Sequence, residues 1–325
     1  MTGLRKGADM NDLHVFDAHA DTISYLRYAK QDLRHSPGHW DLDRAGEFAG
    51  FGQIFALWAD WVPRDALWAE CQGQYETYLT MLARYPERIR HCRTARDAED
   101  AWRAGKAAAF LSVEGAEMLD CDIAKLDIAA DWSVRALNLT WNFANELSGS
   151  NAERPEQGLS ARGREFLRAM EERGILPDVS HLSDAGTWDV LRWARGPVIA
   201  SHSNARALCP HRRNLTDDMF RAIAQTGGVA GYNVCAEFTG EKPTLDTMCD
   251  HILHFMELDP SGKHIALGGD LDGITEMPAG FEGVQSWPAL AQRLLERGLD
   301  EKTVGNIFWN NAIGVMECAV CDHAK

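Results

Sequence analysis

Short apolar runs bounded by turn residues recur along the chain: "HVFDAHAD", "FGQIFALWAD", "AAAFLSVEGAE", "VRALNLTW", "LPDVSHLS", "PVIASHSN", "GGVAGYNV" and "HIALGGDLDG". Each is apolar at successive positions over a few residues, the pattern of a strand buried on both faces. Most are separated by stretches with apolar residues at helical spacing, such as "LWAECQGQYETYLTMLARY", "ARGREFLRAMEERG", "AGTWDVLRWAR" and "LDTMCDHILHFMEL". Thr216, followed by Asp217 and Asp218, opens a further helix, and Gly227 follows its end. Eight strands alternating with helices predict an α/β fold, and in this length they fit a closed (β/α)8 TIM barrel better than an open sheet. One domain is expected over residues 1–325. Its C-terminal helices, within 285–320, are expected to pack on the outside, and "SGSNAERPEQGLS" at 148–160 to form a long loop after the fourth strand.

The polar residues that interrupt these runs gather at the C-terminal strand ends. His19 and Asp21 finish the first strand, Glu114 the third, His181 the fifth, His202 the sixth and Asp270 the eighth. A parallel barrel turns all of those ends to one face, where sites of this fold are built. Positions i and i+2 of a strand share a side, so His19 and Asp21 can reach one ion together. Imidazoles and carboxylates buried there together are costly unless paired or metal-bound, and one or two divalent cations remove that cost. Nitrogen with carboxylate oxygen suits zinc, and manganese, cobalt or iron remain open by ligand type. The other histidines (14, 35, 39, 91, 211, 251, 254, 264 and 323) fall mostly in helical or loop segments and are read as structural or surface residues.

Composition narrows the function classes. The chain has 325 residues, 45% hydrophobic and 25% charged, and its 33 basic against 48 acidic side chains give a net charge of -15. That balance argues against a nucleic-acid partner. No secretory-type apolar segment stands near the start and no membrane-length apolar run occurs, so a soluble, cytoplasmic protein is expected. The 8 cysteines are scattered, which suits free buried thiols. Cys318 and Cys321 form a CxxC with no second pair and carry no redox or metal assignment.

Motif by motif, "DAHADT", "LSVEGAE", "DVSHLS", "ASHSNARALCPHRRNLTDD" and "LGGDLDGI" resemble the membrane (renal) dipeptidase family of the metal-dependent amidohydrolase superfamily, in order and in spacing, from His14 to the "WNNAIGVME" near the end. The resemblance implies a barrel of the amidohydrolase type. It also implies one zinc on His19, Asp21 and Glu114 and a second on Glu114, His181 and His202. Glu114 would bridge the two ions, with a hydroxide between them as nucleophile. Asp270 would relay the proton to the leaving amine; Asp272, beyond the expected strand end, is the poorer candidate and shapes the loop. Arg213 matches the residue that clamps the substrate's terminal carboxylate, a task that suits a guanidinium fork. Taken alone, Arg213 beside Arg212 reads as a surface arginine.

One position departs from the family. Where members carry a histidine in a motif like "LTH", this chain has "NLTWNFANE", with Trp141. An indole offers one N–H and no imidazolium charge, so oxyanion stabilisation falls to the metal, aided by Trp141, Asn142 or Asn145, unless Trp141 simply packs the barrel mouth. The expected activity is hydrolysis of dipeptides, including L-Xaa-D-Xaa. No membrane partner is expected, and homodimers are common in that family. Two alternatives stand beside it: an amidohydrolase acting on a lactam, an N-acyl amino acid or a cyclic amide, and a catalytically silent homologue that binds a peptide-like metabolite.

Overall fold

The computed structural model describes residues 12–321, with side chains described through residue 317. Its strands are β1 (His14–Ala20), β2 (Gly50–Leu57), β3 (Ile89–His91), β4 (Ala107–Glu114), β5 (Val134–Asn138), β6 (Leu176–Asp178), β7 (Ala230–Tyr232) and β8 (Ile265–Leu267). All pair in parallel, in the order β6-β5-β4-β2-β1-β8-β7, with β3 beside the start of β4. The open ends of that sheet meet through residues 199 and 200: Ile199 pairs with Asp178, and Ala200 pairs with Ala230. The parallel sheet therefore curls into an α/β barrel of the TIM type.

Two elements differ from the sequence reading. The short strand β3 was not foreseen, because three residues between helices give too little pattern to register. The expected sixth strand, "PVIASHSN", contributes only two bridging residues. Pro197 has no N–H, and the N–H of Val198 goes to Thr226 Oγ1 at 3.0 Å, so the ladder starts late. It also stops early, because the N–H groups of Ser201 and His202 are taken by the side chains of Asp178 and Ser180.

Every position of β2 and β4 is buried, as their uninterrupted apolar runs required. Phe16, Ile54, Phe110, Leu176, Ile199 and Ala266 form one interior cluster. Trp309, Ala312, Ile313 and Met316, from the segment that ends the chain, belong to the same cluster and close the N-terminal end of the barrel. That end is filled with apolar side chains, so the polar residues are left to the opposite mouth.

The helices are delimited by the chemistry the sequence announced. Thr216 accepts from the N–H of Met219 and caps Asp217–Gln225, and Gly227 takes φ +80° just beyond it. Ser160 and Ser183 cap Ala161–Glu171 and Asp184–Trp193 in the same way. The long loop after β5 folds back over the mouth, where both N–H donors of Asn151, backbone and amide, reach the carbonyl of His181 at 2.9 Å. Among the described residues no helix is long and apolar enough to cross a membrane. The six cysteines with described side chains are free, and five of them are buried. The side chains of Cys318 and Cys321, and the whole of His323, lie outside the described residues.

Candidate metal centre

The barrel brings together the side chains that the sequence placed on separate strand ends. His19 Nε2 lies 3.4 Å from Glu114 Oε2, 3.6 Å from Asp21 Oδ2 and 4.0 Å from Asp270 Oδ1. The other Glu114 oxygen, Oε1, is 2.7 Å from His181 Nε2 and 3.5 Å from His202 Nε2. One carboxylate thus faces two groups: His19 with Asp21 on one side, and His181 with His202 on the other. Within each of the trios His19/Asp21/Glu114, Glu114/His181/His202 and His19/His202/Asp270, the ligand atoms lie within 4.8 Å of one another, and every member is buried.

The donor chemistry fits a cation. Asn142 Oδ1 faces His181 Nδ1 at 2.9 Å and Arg213 Nη2 donates toward Nε2 at 2.8 Å, so the proton sits on Nδ1 and the lone pair on Nε2. That lone pair meets the Glu114 carboxylate at 2.7 Å and His202 Nε2 at 3.0 Å. The Arg213 N–H meets only one of these converging acceptors, and a metal ion among them would satisfy the rest. His19 Nε2 and Asp21 Oδ1 are also buried without a hydrogen-bond partner, an expensive condition that ligation would relieve. Gly273 leaves the needed room: a Cβ there would overlap Asp21 Oδ2 and stand 2.9 Å from Asp270 Oδ1.

Electrostatics separate the groups. Burial works to raise the Glu114 carboxyl, but the charges and hydrogen bonds of His19 and His181 outweigh it and hold Glu114 well below the usual carboxylate range. Burial and the charge of Glu114 push Asp21 up to about 7. Burial also raises Asp270, with His19 pulling against it and Glu114 adding to it. His181 is pushed down to about 4 by burial and by Arg213, and burial followed by the charge of His19 depresses His202 well below the ordinary imidazole value. Burial works to lower His19, but Glu114 and Asp21 outweigh it and hold that imidazole well above its ordinary value. His181 and His202 are therefore the neutral imidazoles beside the ionised Glu114, the protonation state that metal ligation requires.

A layer of hydrogen bonds below the mouth orients these groups. Ser201 Oγ lies 2.6 Å from His202 Nδ1, turning Nε2 to the centre. Asp178 Oδ1 accepts from the N–H groups of Ser180 and Ser201, both at 3.0 Å. Asn233 Nδ2 donates to Asp270 Oδ2 at 2.9 Å. His181 and Asp270 both sit in the left-handed region, with φ of 72° and 56°, a strained conformation that concentrates at functional sites.

The cavity above has a volume of about 320 Å³ and is lined by Asp21, Glu114, His181 and Asp270 together with Trp58, Trp141, Arg213 and Phe238. Arg213 is buried, not a surface arginine; it has no carboxylate within ion-pair distance among the described residues and lies over the Phe238 ring at 5.4 Å. Trp141 faces the cavity, its ring 5.9 Å from that of His181. Asp272 turns away, accepting from the Thr22 hydroxyl and the His39 N–H.

Sequence reasoning missed several residues here. His211 was read as structural or surface, yet it lines the cavity and stacks on Phe238 at 4.6 Å. His39, read the same way, pins the loop after β8 by accepting from the N–H of Asp272 at 2.9 Å. Asn233 and Asp178, polar ends of "GGVAGYNV" and "LPDVSHLS", carried the same signal as the candidate ligands. Glu117 receives the Trp141 N–H at 3.1 Å and the Asn145 amide at 2.8 Å.

A family model described as membrane dipeptidase, peptidase family M19, matches residues 7–323. A curated relative, an uncharacterized dipeptidase of Schizosaccharomyces pombe, is 34% identical over 233 residues, covering 69% of this chain and 56% of that protein, so the chain spans little more than half of that relative. The crystal structure of dipeptidase AC, a metallopeptidase of family M19, superposes with a TM-score of 0.87 at 26% identity, covering 94% of this chain and 98% of that one. A metallopeptidase from Rhodobacter sphaeroides, liganded with a phosphinate mimic of the dipeptide L-Ala-D-Ala, shares the fold with a TM-score of 0.87 at 24% identity, covering 95% and 99%.

Proposed function

The chain belongs to the membrane dipeptidase family, peptidase family M19, and on that premise we propose that it hydrolyses the peptide bond of dipeptides in a metal-dependent reaction. The observation that carries this reading is the single buried carboxylate of Glu114 facing two separate ligand groups beneath a small cavity. His19, Asp21 and Glu114 would hold one ion, and Glu114, His181 and His202 a second, zinc by donor type. Two such ions supply an activated water and a Lewis acid for the scissile carbonyl.

The remaining steps fall to the chain's own residues. Asp270 takes the proton released as water attacks and returns it to the departing amine. Its raised carboxyl and its place beside His19 suit it to both directions of transfer. Arg213, a buried guanidinium with no carboxylate within ion-pair distance among the described residues, receives the substrate's terminal carboxylate. With the substrate's free amino group near the ions and its carboxylate at Arg213, its length would be limited to two residues, and the cavity of about 320 Å³ has room for a molecule of that size. The Rhodobacter protein's L-Ala-D-Ala mimic supports tolerance of a D-residue at the C-terminal position. One domain over residues 1–325 is part of the same reading. So is a reducing, cytoplasmic compartment, which the free thiols favour.

The test is a panel of L,L- and L,D-dipeptides set beside lactams, N-acyl amino acids and cyclic amides, assayed with zinc-loaded protein. Dipeptide cleavage that disappears in Asp270→Asn is expected. Turnover of the other amides alone would assign a different amidohydrolase, and turnover of none would leave a binding protein.

A further inference from the structure

The two sides of the cavity differ in chemistry. Around the barrel the staves run β1, β2, β4, β5, β6, residues 199–200, β7 and β8. On the β6 to β8 side stand Arg213, His211 and Asp270, with Phe238. The face of Phe238 is already taken by the His211 ring and the Arg213 guanidinium. The β2 to β5 side carries an aromatic strip, beside Asn142 and Asn151. Trp58, directly after β2, and Trp141, shortly after β5, have ring centroids 5.0 Å apart. Trp61 lies 5.0 Å beyond Trp58, Tyr28 lies 4.3 Å beyond Trp61, and Phe143 lies 5.4 Å from Trp141. Trp61, Tyr28 and Phe143 are exposed, so the strip runs from the cavity to the surface.

The backbone beneath the strip is held before any ligand arrives. Gln74 brackets the Trp58 main chain, accepting from its backbone N–H at 3.0 Å and donating to its carbonyl at 2.6 Å, and Glu117 accepts from the backbone N–H of Trp141. We propose that this wall is the subsite for the side chain of the substrate's N-terminal residue, that it selects aromatic and large aliphatic side chains there, and that Trp58 and Trp141 determine the preference.

The inference rests on the dipeptidase reading. A dipeptide whose carboxylate meets Arg213 on the β6 to β8 side extends its first residue across the ligand cluster toward β2 and β5. There it meets aromatic side chains, which gain by covering apolar surface and offer little to a polar side chain that must shed its water. Trp141, the departure from the family's histidine, thereby gains a positive role in place of a missing charge.

The experiment measures, by calorimetry, the binding of phosphinate mimics of Phe-Ala and Ala-Ala to the metal-loaded protein. The Phe-Ala mimic is expected to bind at least about tenfold tighter, the scale that a modest apolar extension commands in a fitted pocket. Trp58→Ala should collapse the ratio by weakening the Phe-Ala mimic alone. Trp141→His, which keeps a ring and guards against a folding defect, should lower the ratio in the same direction. Equal binding of the two mimics, or a ratio unchanged in both variants, overturns the inference while the dipeptidase reading stands. If neither mimic binds and no dipeptide is cleaved, the reading falls and takes the inference with it.

Discussion

The side-chain amide of Asn233 donates to Asp270 Oδ2 at 2.9 Å, leaving Oδ1 as the oxygen nearer His19, 4.0 Å away. A single hydrogen bond from the residue directly after β7 to the loop after β8 thus sets the direction of the carboxylate. Asp270→Asn is expected to lower kcat by about 10²–10⁴-fold, the usual contribution of a positioned proton carrier, with KM and metal content little changed. Asn233→Ala should reproduce part of that loss in kcat without removing metal. Steady-state kinetics with metal analysis of the same samples separates the two, and an unchanged kcat in Asp270→Asn would remove it from the reaction.

Gly273 borders both Asp21 and Asp270 so tightly that a methyl group would overlap the Asp21 carboxylate. Gly273→Ala is therefore expected to weaken metal retention against a chelator while the far-ultraviolet circular dichroism stays that of the wild type. Wild-type retention would show that the loop after β8 gives way without moving Asp21.

The orientation of the imidazoles depends on Ser201 and Asn142, at 2.6 Å from His202 Nδ1 and 2.9 Å from His181 Nδ1. Removing such a partner costs about 10–100-fold in metal affinity. Ser201→Ala and Asn142→Ala should each show a loss of that order in competition titrations with a fluorescent chelator.

At the opposite end of the barrel, Trp309 packs on Phe16, with ring centroids 6.0 Å apart, and closes the interior cluster. Trp309→Ala is expected to cost about 3–5 kcal/mol of stability. The change should appear as a lowered thermal midpoint, while metal content per folded chain stays unaltered because the ligands lie at the other mouth.

The strands and the convergence of the candidate ligands were legible because a buried parallel strand tolerates few polar residues. His19, Glu114, His202 and Asp270 stood out against apolar neighbours, and barrel geometry alone carries such ends to one face. Asn233 and Asp178 show the same contrast; Asn233 is neither a usual ligand nor a proton carrier, and the role of Asp178, accepting from the N–H groups of Ser180 and Ser201, emerges only in the folded chain. His211 and His39 could not be read, because each acts from a loop whose path depends on tertiary contacts rather than on periodicity. The sixth strand was over-read for a related reason. Its apolar letters were plain, but Thr226, Asp178 and Ser180 capture the N–H groups that would have extended the ladder, and only the folded chain reveals such competition. The aromatic wall was legible only at Trp141; Trp58, Trp61 and Tyr28 converge from separate elements.

The central claim is that Glu114 joins two ion sites. Its most direct measurement is the metal content of the purified chain, dialysed against metal-free buffer after zinc loading, compared with that of Glu114→Ala. The account predicts about two ions per chain in the wild type and loss of both, or retention of no more than one weakly held ion, in the variant. One ion or none in the wild type, or an undiminished content in Glu114→Ala, would contradict it.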